Sequence, residues 1–292
     1  MSNVFFQKIK SKKIIKKYNL NTSAFLNYKR KFDGIENKTD KIKILFLGSS
    51  EGNVGINSDF WDDGSAYNLC IDSQDLYYSY KLYEQYASKL HNLEQIIITY
   101  STFSSGNEIY KNKKSLYLAY YYEKIFEIKH ENIRNNASFL KDMDFFEKFI
   151  LTKYAPPHIS YSGYSPYLIS TENTPIQIVS GYLKTHFKLT NQEKWLIKAS
   201  ELASKYNHKL YAVITPNPKN TISLYKKEIE KFGVSYEDLF KPLYDLEIKN
   251  VSILNYFDCE AFKEFHFSDP THLTPQGAIK LTKFIIEDIN HT

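Results

Sequence analysis

Two short blocks in this 292-residue chain carry the residue types of nucleophilic catalysis. The first is Gly48-Ser49-Ser50-Glu51, which directly follows an apolar run through Ile42, Ile44, Leu45, Phe46 and Leu47. A serine hydroxyl on such a turn stands near backbone N–H groups, which suits a nucleophile beside an oxyanion hole. The second block is Asp269-Pro270-Thr271-His272-Leu273. A serine nucleophile needs a base to take its proton. That base needs an acceptor to fix its tautomer and steady the imidazolium. Asp269 and His272 could supply both from one loop. Each block alone is a weak signal, because small polar residues after a strand commonly form a plain turn and Asp-x-x-His arises by chance.

The elements around the blocks strengthen them. The run at 42–47 ends in small residues, which predicts a buried strand feeding a tight turn. Residues 66–71 read as a second strand. Leu76, Tyr80, Tyr83 and Ala87 have helical spacing over 76–90, and the almost wholly β-branched 96–100 reads as a third strand. Thr190-Asn191-Gln192-Glu193 has the form of a capping box opening a helix through Trp195, Leu196, Ala199, Leu202 and Ala203. A fourth strand over 210–215 is ended by Pro216. Helical stretches follow at 221–232 and 235–247, with Gly233 where a C-cap belongs. A fifth strand at 251–254 precedes a last helix with Thr274 as N-cap and Pro275 in its first turn. Strands alternating with helices imply βαβ units and a mostly parallel sheet covered on both faces. Ligands of such sheets bind beyond the carboxyl ends of the strands, where both blocks fall.

Two regions lie outside this pattern. About 90 residues separate the third strand from the helix after 191, and a structureless loop of that length is rare in a compact domain. Its first half, 115–150, has helical spacing, and 154–182 is rich in Pro, Ser, Gly and Tyr, so an inserted lid or cap is expected. At the other end, Val4, Phe5, Phe6, Ile9, Ile14 and Ile15 alternate with Lys8, Lys10, Lys12, Lys13, Lys16 and Lys17. This predicts a basic amphipathic helix over 2–18, either packed on its own domain or resting on an anionic membrane. Residues 19–40 read as a polar connector.

With the elements in place, the chain resembles the SGNH (GDSL-like) hydrolase family. Ile44-Leu45-Phe46-Leu47-Gly48-Ser49-Ser50 is similar to its first block, and Asp269-Pro270-Thr271-His272-Leu273-Thr274-Pro275-Gln276-Gly277 to its last. The resemblance covers 42–100 and 191–290 in element order. It implies a three-layer flavodoxin-like α/β sandwich with a central, mostly parallel five-stranded sheet and a large helical and loop insertion. The expected organisation is a basic arm at 1–40 and an SGNH-like domain at 41–292 with a cap at about 101–190. By the same resemblance Ser50 is the nucleophile, His272 the base and Asp269 its orienting partner, with Ser49 the alternative if the turn is shifted by one. The oxyanion candidates are the N–H groups of Ser50 and Cys70 and the side chain of Asn107. Cys70 stands where the family has a glycine, and Thr99-Tyr100-Ser101-Thr102 stands where an asparagine is usual. The implied activity is ester hydrolysis or acyl transfer on a small-molecule ester or an acylated glycan, without metal or other cofactor. The alternative is a catalytically weak or inactive protein of the same fold that binds a glycan or protein partner. His158 and Tyr161, in the Pro- and Tyr-rich segment, are candidate substrate-binding residues; packing of that segment on its own domain is the competing reading.

Composition narrows the field further. The net charge of +5 is mild, and Arg30 and Arg134 are the only arginines. Lysine is a solvated point charge and makes poor bidentate base contacts, so no nucleic-acid partner is expected. The 25 Tyr and 20 Phe fit an AT-rich coding bias before any special aromatic role. Cys70 and Cys259 form no metal cluster or disulfide framework, which suits a reducing compartment. No run of about 18 apolar residues appears and the first 20 residues lack a continuous apolar core, so neither a membrane-spanning helix nor a secretory signal is expected and the cytoplasm is the default location. No phosphate-binding loop, dinucleotide fingerprint or zinc spacing is present.

Overall fold

The computed structural model describes residues 2–18, 20, 22–61, 63–111, 115–130, 136–149, 159–166, 173–188, 190–246, 248 and 250–291. The elements run α1 (Ser2–Tyr18), α2 (Thr22–Glu36), β1 (Ile44–Leu47), α3 (Ser50–Gly55), β2 (Ala66–Asn68), α4 (Leu76–Tyr86) and β3 (Gln95–Thr99). They continue as α5 (Leu116–Phe126), α6 (Ala137–Phe149), α7 (Pro175–His186), α8 (Lys194–Tyr206), β4 (Lys209–Ile214), α9 (Lys219–Ile229), α10 (Lys241–Tyr244), β5 (Val251–Asn255) and α11 (Pro275–His291). The strands form one five-stranded sheet in the order β2-β1-β3-β4-β5, with every pairing parallel. This is the expected three-layer α/β architecture.

The register explains the near-continuous apolar strands. Phe46, Ile97 and Tyr211 are aligned, and their side chains join Leu281, Ile285 and Ile289 of α11 in one buried cluster. Leu45, Ile96 and Leu210 are aligned one residue earlier, point to the opposite face by the period-2 rule, and are equally buried. The helices α4 and α8 pack on each other and against β1 and β4. A sheet buried on both faces demands apolar residues at every strand position, not alternation.

Several element boundaries differ from the sequence reading. The expected connector at 19–40 contains α2, whose Phe25, Tyr28, Phe32 and Ile35 fall on one helical stripe. No capping box forms at 190–193: Thr190 donates to the Ser105 carbonyl (3.1 Å), and Glu193 accepts from the Tyr100 hydroxyl (2.8 Å). Both side chains are committed to tertiary contacts before α8 begins. A true capping box does occur between Thr174 and Gln177, at the start of α7. Gly233 takes the left-handed C-cap conformation (φ 69°) as expected. Among the described residues of the stretch 235–247, only a short 3-10 turn and the four-residue α10 form.

By chain contacts the molecule divides into a unit of residues 1–33 with 108–157 and a larger unit of residues 34–107 with 158–292. In the smaller unit, α1 packs on α6, burying Ile14 and Tyr18 while Lys10, Lys12, Lys13, Lys16 and Lys17 remain exposed. Its core is aromatic: Tyr28 meets Tyr122 edge-on at 4.9 Å, Tyr18 meets Phe139 at 5.1 Å, and Tyr121 lies between Phe25 and Phe146. Edge-to-face pairs of this kind add about 0.5–1.5 kcal/mol each beyond area burial. No described helix is long and apolar enough to cross a membrane.

Candidate active site

The turn after β1 can be made only by glycine. Gly48 has φ +136°, and a Cβ there would lie 1.9 Å from Thr99 Oγ1 on the neighbouring strand. That close approach delivers Ser49 in extended conformation as N-cap and Ser50 as the first residue of α3. Ser50 Oγ lies 2.8 Å from His272 Nε2. Ser49 is buried and hydrogen-bonds Ser101 Oγ (3.0 Å), so it is Ser50 and not Ser49 that meets the imidazole.

His272 is held by the loop between β5 and α11. Asp269 Oδ1 accepts the backbone N–H groups of Thr271 and His272, both at 2.9 Å, which closes a tight turn around the carboxylate. Both carboxylate oxygens also face His272 Nδ1, at 2.9 and 2.8 Å. The network therefore assigns the proton to Nδ1 and leaves the Nε2 lone pair for the Ser50 hydroxyl. Burial acts to raise the Asp269 carboxyl, but the hydrogen bond and charge of His272 and the two N–H groups outweigh it and hold the group below its ordinary value. Burial likewise acts to lower His272, and the Asp269 hydrogen bond and charge raise it overall.

Of the expected oxyanion donors, Cys70 is corrected. Its N–H donates to Asn68 Oδ1 (3.0 Å), and its side chain is fully buried in the apolar cluster beneath α11. The Asn68 side chain is fixed in turn by the carbonyls of Gly52 and Ile56 (2.9 and 2.8 Å), so this bond is structural. The turn that follows presents another backbone N–H. Ser73 is exposed at φ 63°, a left-handed conformation uncommon for a non-glycine residue, and its N–H meets no acceptor among the described residues. Its carbonyl accepts Asn107 Nδ2 (3.1 Å), so Asn107 does reach the turn after β2 and keeps a second amide hydrogen to offer. The preceding Asp72 accepts Asn53 Nδ2 (2.9 Å), which ties this turn to α3. The Ser50 N–H stands at the first helical position, where no intrahelical acceptor exists.

Helix α7 contributes a wall. A Cβ on Gly106 would lie 1.6 Å from the Thr185 carbonyl, so α7 is seated directly on the loop that carries Asn107. Tyr182 of α7 packs its ring on Phe103 (4.7 Å) and hydrogen-bonds Thr271 with a desolvated hydroxyl that also feels Glu51 and Asp269. Sequence reading missed Tyr182, Ser73 and Glu51. Only adjacency to the serine block marked Glu51, while Ser73 and Tyr182 reach the site through a backbone conformation and a helix docking that no local pattern encodes.

The substrate-binding candidates do not gather here. His158 lies outside the described residues. Tyr161 is exposed, with Lys38 Nζ 3.1 Å above its ring, and it borders a hollow of about 300 Å³ with Lys41, Asp59, Trp61, Asp63 and Gly64. Lys41 and Gly64 precede β1 and β2, so this hollow is at the amino ends of the strands, roughly 13 Å of β1 away from Ser50 at about 3.3 Å per residue. Tyr161 is therefore not part of the triad's surroundings. No group of His, Cys, Asp and Glu among the described residues has the arrangement of a metal site.

No protein-family model matches the chain, and no curated protein matches it. Among solved structures, one from Streptococcus pneumonia described as "a putative platelet activating factor" aligns with a TM-score of 0.40 and 12% identity, over 98% of this chain and 98% of that one.

Proposed function

We propose that the chain is a serine-dependent enzyme of SGNH type that hydrolyses or transfers an acyl ester. The observation that carries this reading is the unbroken line from Ser50 Oγ through His272 to Asp269, with hydrogen bonds of 2.8 Å on either side of the imidazole. Ser50 Oγ attacks the ester carbonyl carbon while His272 Nε2 takes its proton. The developing oxyanion is met by the N–H groups of Ser50 and Ser73 and by Asn107 Nδ2. Collapse forms acyl-Ser50, and His272 returns the proton to the leaving alcohol. Water or a sugar hydroxyl, deprotonated by the same imidazole, then releases the acyl group. Asp269 stays ionised throughout and stabilises the imidazolium. The scheme uses neither metal nor nucleotide.

The substrate class in this reading is an acylated glycan or a similarly hydroxylated ester. A serine and imidazole already at hydrogen-bonding distance leave no observation in favour of a non-catalytic binding role. A fluorophosphonate probe tests the assignment: wild type and Ser49→Ala are labelled, Ser50→Ala is not. Labelling that survives Ser50→Ala removes Ser50 from its role.

A further inference from the structure

Beneath the triad lies a second hydrogen-bonded line that the scheme above does not use. Ser101 Oγ hydrogen-bonds both Ser49 Oγ (3.0 Å) and the Glu51 carboxyl, and Thr215 Oγ1 donates to the same Glu51 oxygen (3.2 Å). The hydroxyls come from the turn after β1, the loop after β3 and the residue that follows β4. Glu51 sits beside Ser50 on α3 and is 5% exposed. One carboxyl thus ties three neighbouring strand ends to the nucleophile's helix. Ser101 extends the tie: its N–H donates to Ser104 Oγ (2.9 Å) and its carbonyl accepts the Ser104 N–H (2.9 Å), anchoring the loop that runs on to Asn107.

A buried carboxylate ordinarily keeps its charge only with a cation or several N–H donors. Glu51 has two neutral hydroxyls among the described residues. The ionisable groups that face it are His272 and Asp269 from the catalytic loop, Tyr182 from α7 and Tyr225 from α9. Asp269 already holds the imidazole. Burial, the largest influence, with Asp269 acting in the same direction, moves Glu51 above the usual carboxylate range against the pull of Ser101, His272 and Thr215. Environments this different push the pKa values of two neighbouring carboxyls apart, Asp269 down and Glu51 up.

We propose that Glu51 is a positioning residue, an uncharged carboxylic acid that clamps Ser101 and Thr215 and so holds Ser50 and the Asn107 loop in register while Asp269 alone supplies negative charge to the triad. The proposal rests on the ester-cleaving reading above. Glu51 touches no reacting atom, so its loss should lower kcat more than it changes KM.

Three variants and one spectrum test it. Glu51→Gln keeps the hydrogen-bonding capacity without a titratable group. It should hold kcat within about threefold and leave the acid limb of kcat/KM in place, whereas Glu51→Ala should cost about tenfold or more in kcat with little change in KM, as expected for two lost hydrogen bonds. Ser101→Ala cuts the clamp with Glu51 intact and should lower kcat in the same way, which keeps the test open if Glu51→Ala does not fold. The infrared difference between wild type and Glu51→Gln near neutral pH should contain the carbonyl stretch of an undissociated carboxylic acid. A downward shift of the acid limb in Glu51→Gln would mean that a charge beside His272 had been removed, and overturns the proposal. So does an ionised-carboxylate difference spectrum, or unchanged kcat in both Glu51→Ala and Ser101→Ala. If wild-type Ser50 takes no fluorophosphonate, it is the ester-cleaving reading that fails, and the infrared difference still decides the state of Glu51.

Discussion

Replacing Asp269 with asparagine separates the triad's geometry from its electrostatics. The variant keeps one oxygen able to accept the two backbone N–H groups that now reach Oδ1 at 2.9 Å each, so the turn survives. With that oxygen committed to the backbone, the new NH2 group stands where Oδ2 now meets His272 Nδ1 at 2.8 Å. An NH2 donor opposite Nδ1 favours the tautomer with its lone pair there and its proton on Nε2, the wrong end for accepting the Ser50 hydroxyl. The loss is that of a triad with the wrong tautomer, about 10⁴ in kcat, or about 5.4 kcal/mol at 1.36 kcal/mol per tenfold. A second readout comes from the acid limb of kcat/KM. In wild type, burial depresses His272 but Asp269 raises it further, so the limb should lie above the ordinary histidine value of about 6.5. Without the carboxylate, burial dominates and the limb moves to lower pH while the plateau falls. Stability carries the same signature by linkage. The raised His272 contributes stability that is complete below its unfolded pKa and is lost as pH rises through the folded one. The lowered Asp269 contributes stability present above its unfolded pKa and lost as pH falls through the folded one. Both slopes should flatten in Asp269→Asn, as read by denaturant titrations across pH. Retention of more than about a tenth of wild-type kcat/KM, or an unmoved acid limb, refutes the assignment of His272 as base oriented by Asp269.

Two further expectations concern the parts that shape the site. Asn107→Ala should lower kcat by about 10²–10³, the usual cost of one oxyanion donor, while fluorophosphonate binding at Ser50 persists more slowly; an unchanged kcat removes Asn107 from the hole. Gly48→Ala combines a forbidden backbone conformation with a Cβ 1.9 Å from Thr99 Oγ1, and should lower unfolding stability by about 3 kcal/mol or more; a wild-type melting curve contradicts the required turn.

How much of this was legible in the sequence follows from which interactions are local. The inner strands were readable because a parallel sheet covered on both faces makes them near-continuous apolar runs, as in Ile96-Ile97-Ile98, whereas the edge strand β5 is only half-buried and carries Ser252 and Asn255. That Ser50, His272 and Asp269 would come together was readable because block order and sheet topology bring the strands' carboxyl ends to one edge. The helix over Thr22–Glu36 was missed although Phe25, Tyr28, Phe32 and Ile35 mark a stripe, because intervening Asn, Lys, Arg and Asp residues hid it. The four residues at 190–193 had capping chemistry in the right order, yet Tyr100 and Ser105 claimed two of their side chains; tertiary partners outbid a local motif. Cys70 was misassigned for a related reason. Its place after β2 fitted an oxyanion donor, but the Asn68 side chain, two residues earlier, consumes its N–H. Ser73 stands out through a single positive φ, and no residue type in Asp72-Ser73-Gln74 announces it.

The strand that precedes His272 is farther from Ser50 across the sheet than the order of the blocks suggests, and this sets the last prediction. β5 and β1 are separated by β4 and β3, so at about 4.8 Å per strand spacing the chain must travel roughly 14 Å sideways before His272 can reach Ser50. Nothing in β5 itself controls that journey. The control is a line of apolar anchors, Tyr256, Phe262 and Leu273, which sink the 256–273 segment into the same cluster that holds α11 to the sheet. Phe262 is the central one: it is 3% exposed, its ring meets His266 at 5.7 Å and Phe284 at 5.7 Å, and the Phe267–Leu273 bridge that frames the Asp269 turn begins just beyond it. Phe262→Ala removes a buried ring and should cost about 3–5 kcal/mol of stability. It should also cost activity in the fraction that remains folded, because a loosened segment lets His272 drift, and a misplacement of about 1 Å can cost 10²-fold. The decisive comparison is Leu281→Ala on α11, whose side chain lies in the same cluster but belongs to no part of the crossing segment. Leu281→Ala should lose stability in the range of about 2–5 kcal/mol yet keep its labelling rate per folded molecule. Equal labelling rates in the two variants would mean that the Asp269 turn is self-supporting, and that the apolar anchors serve the core but not the base.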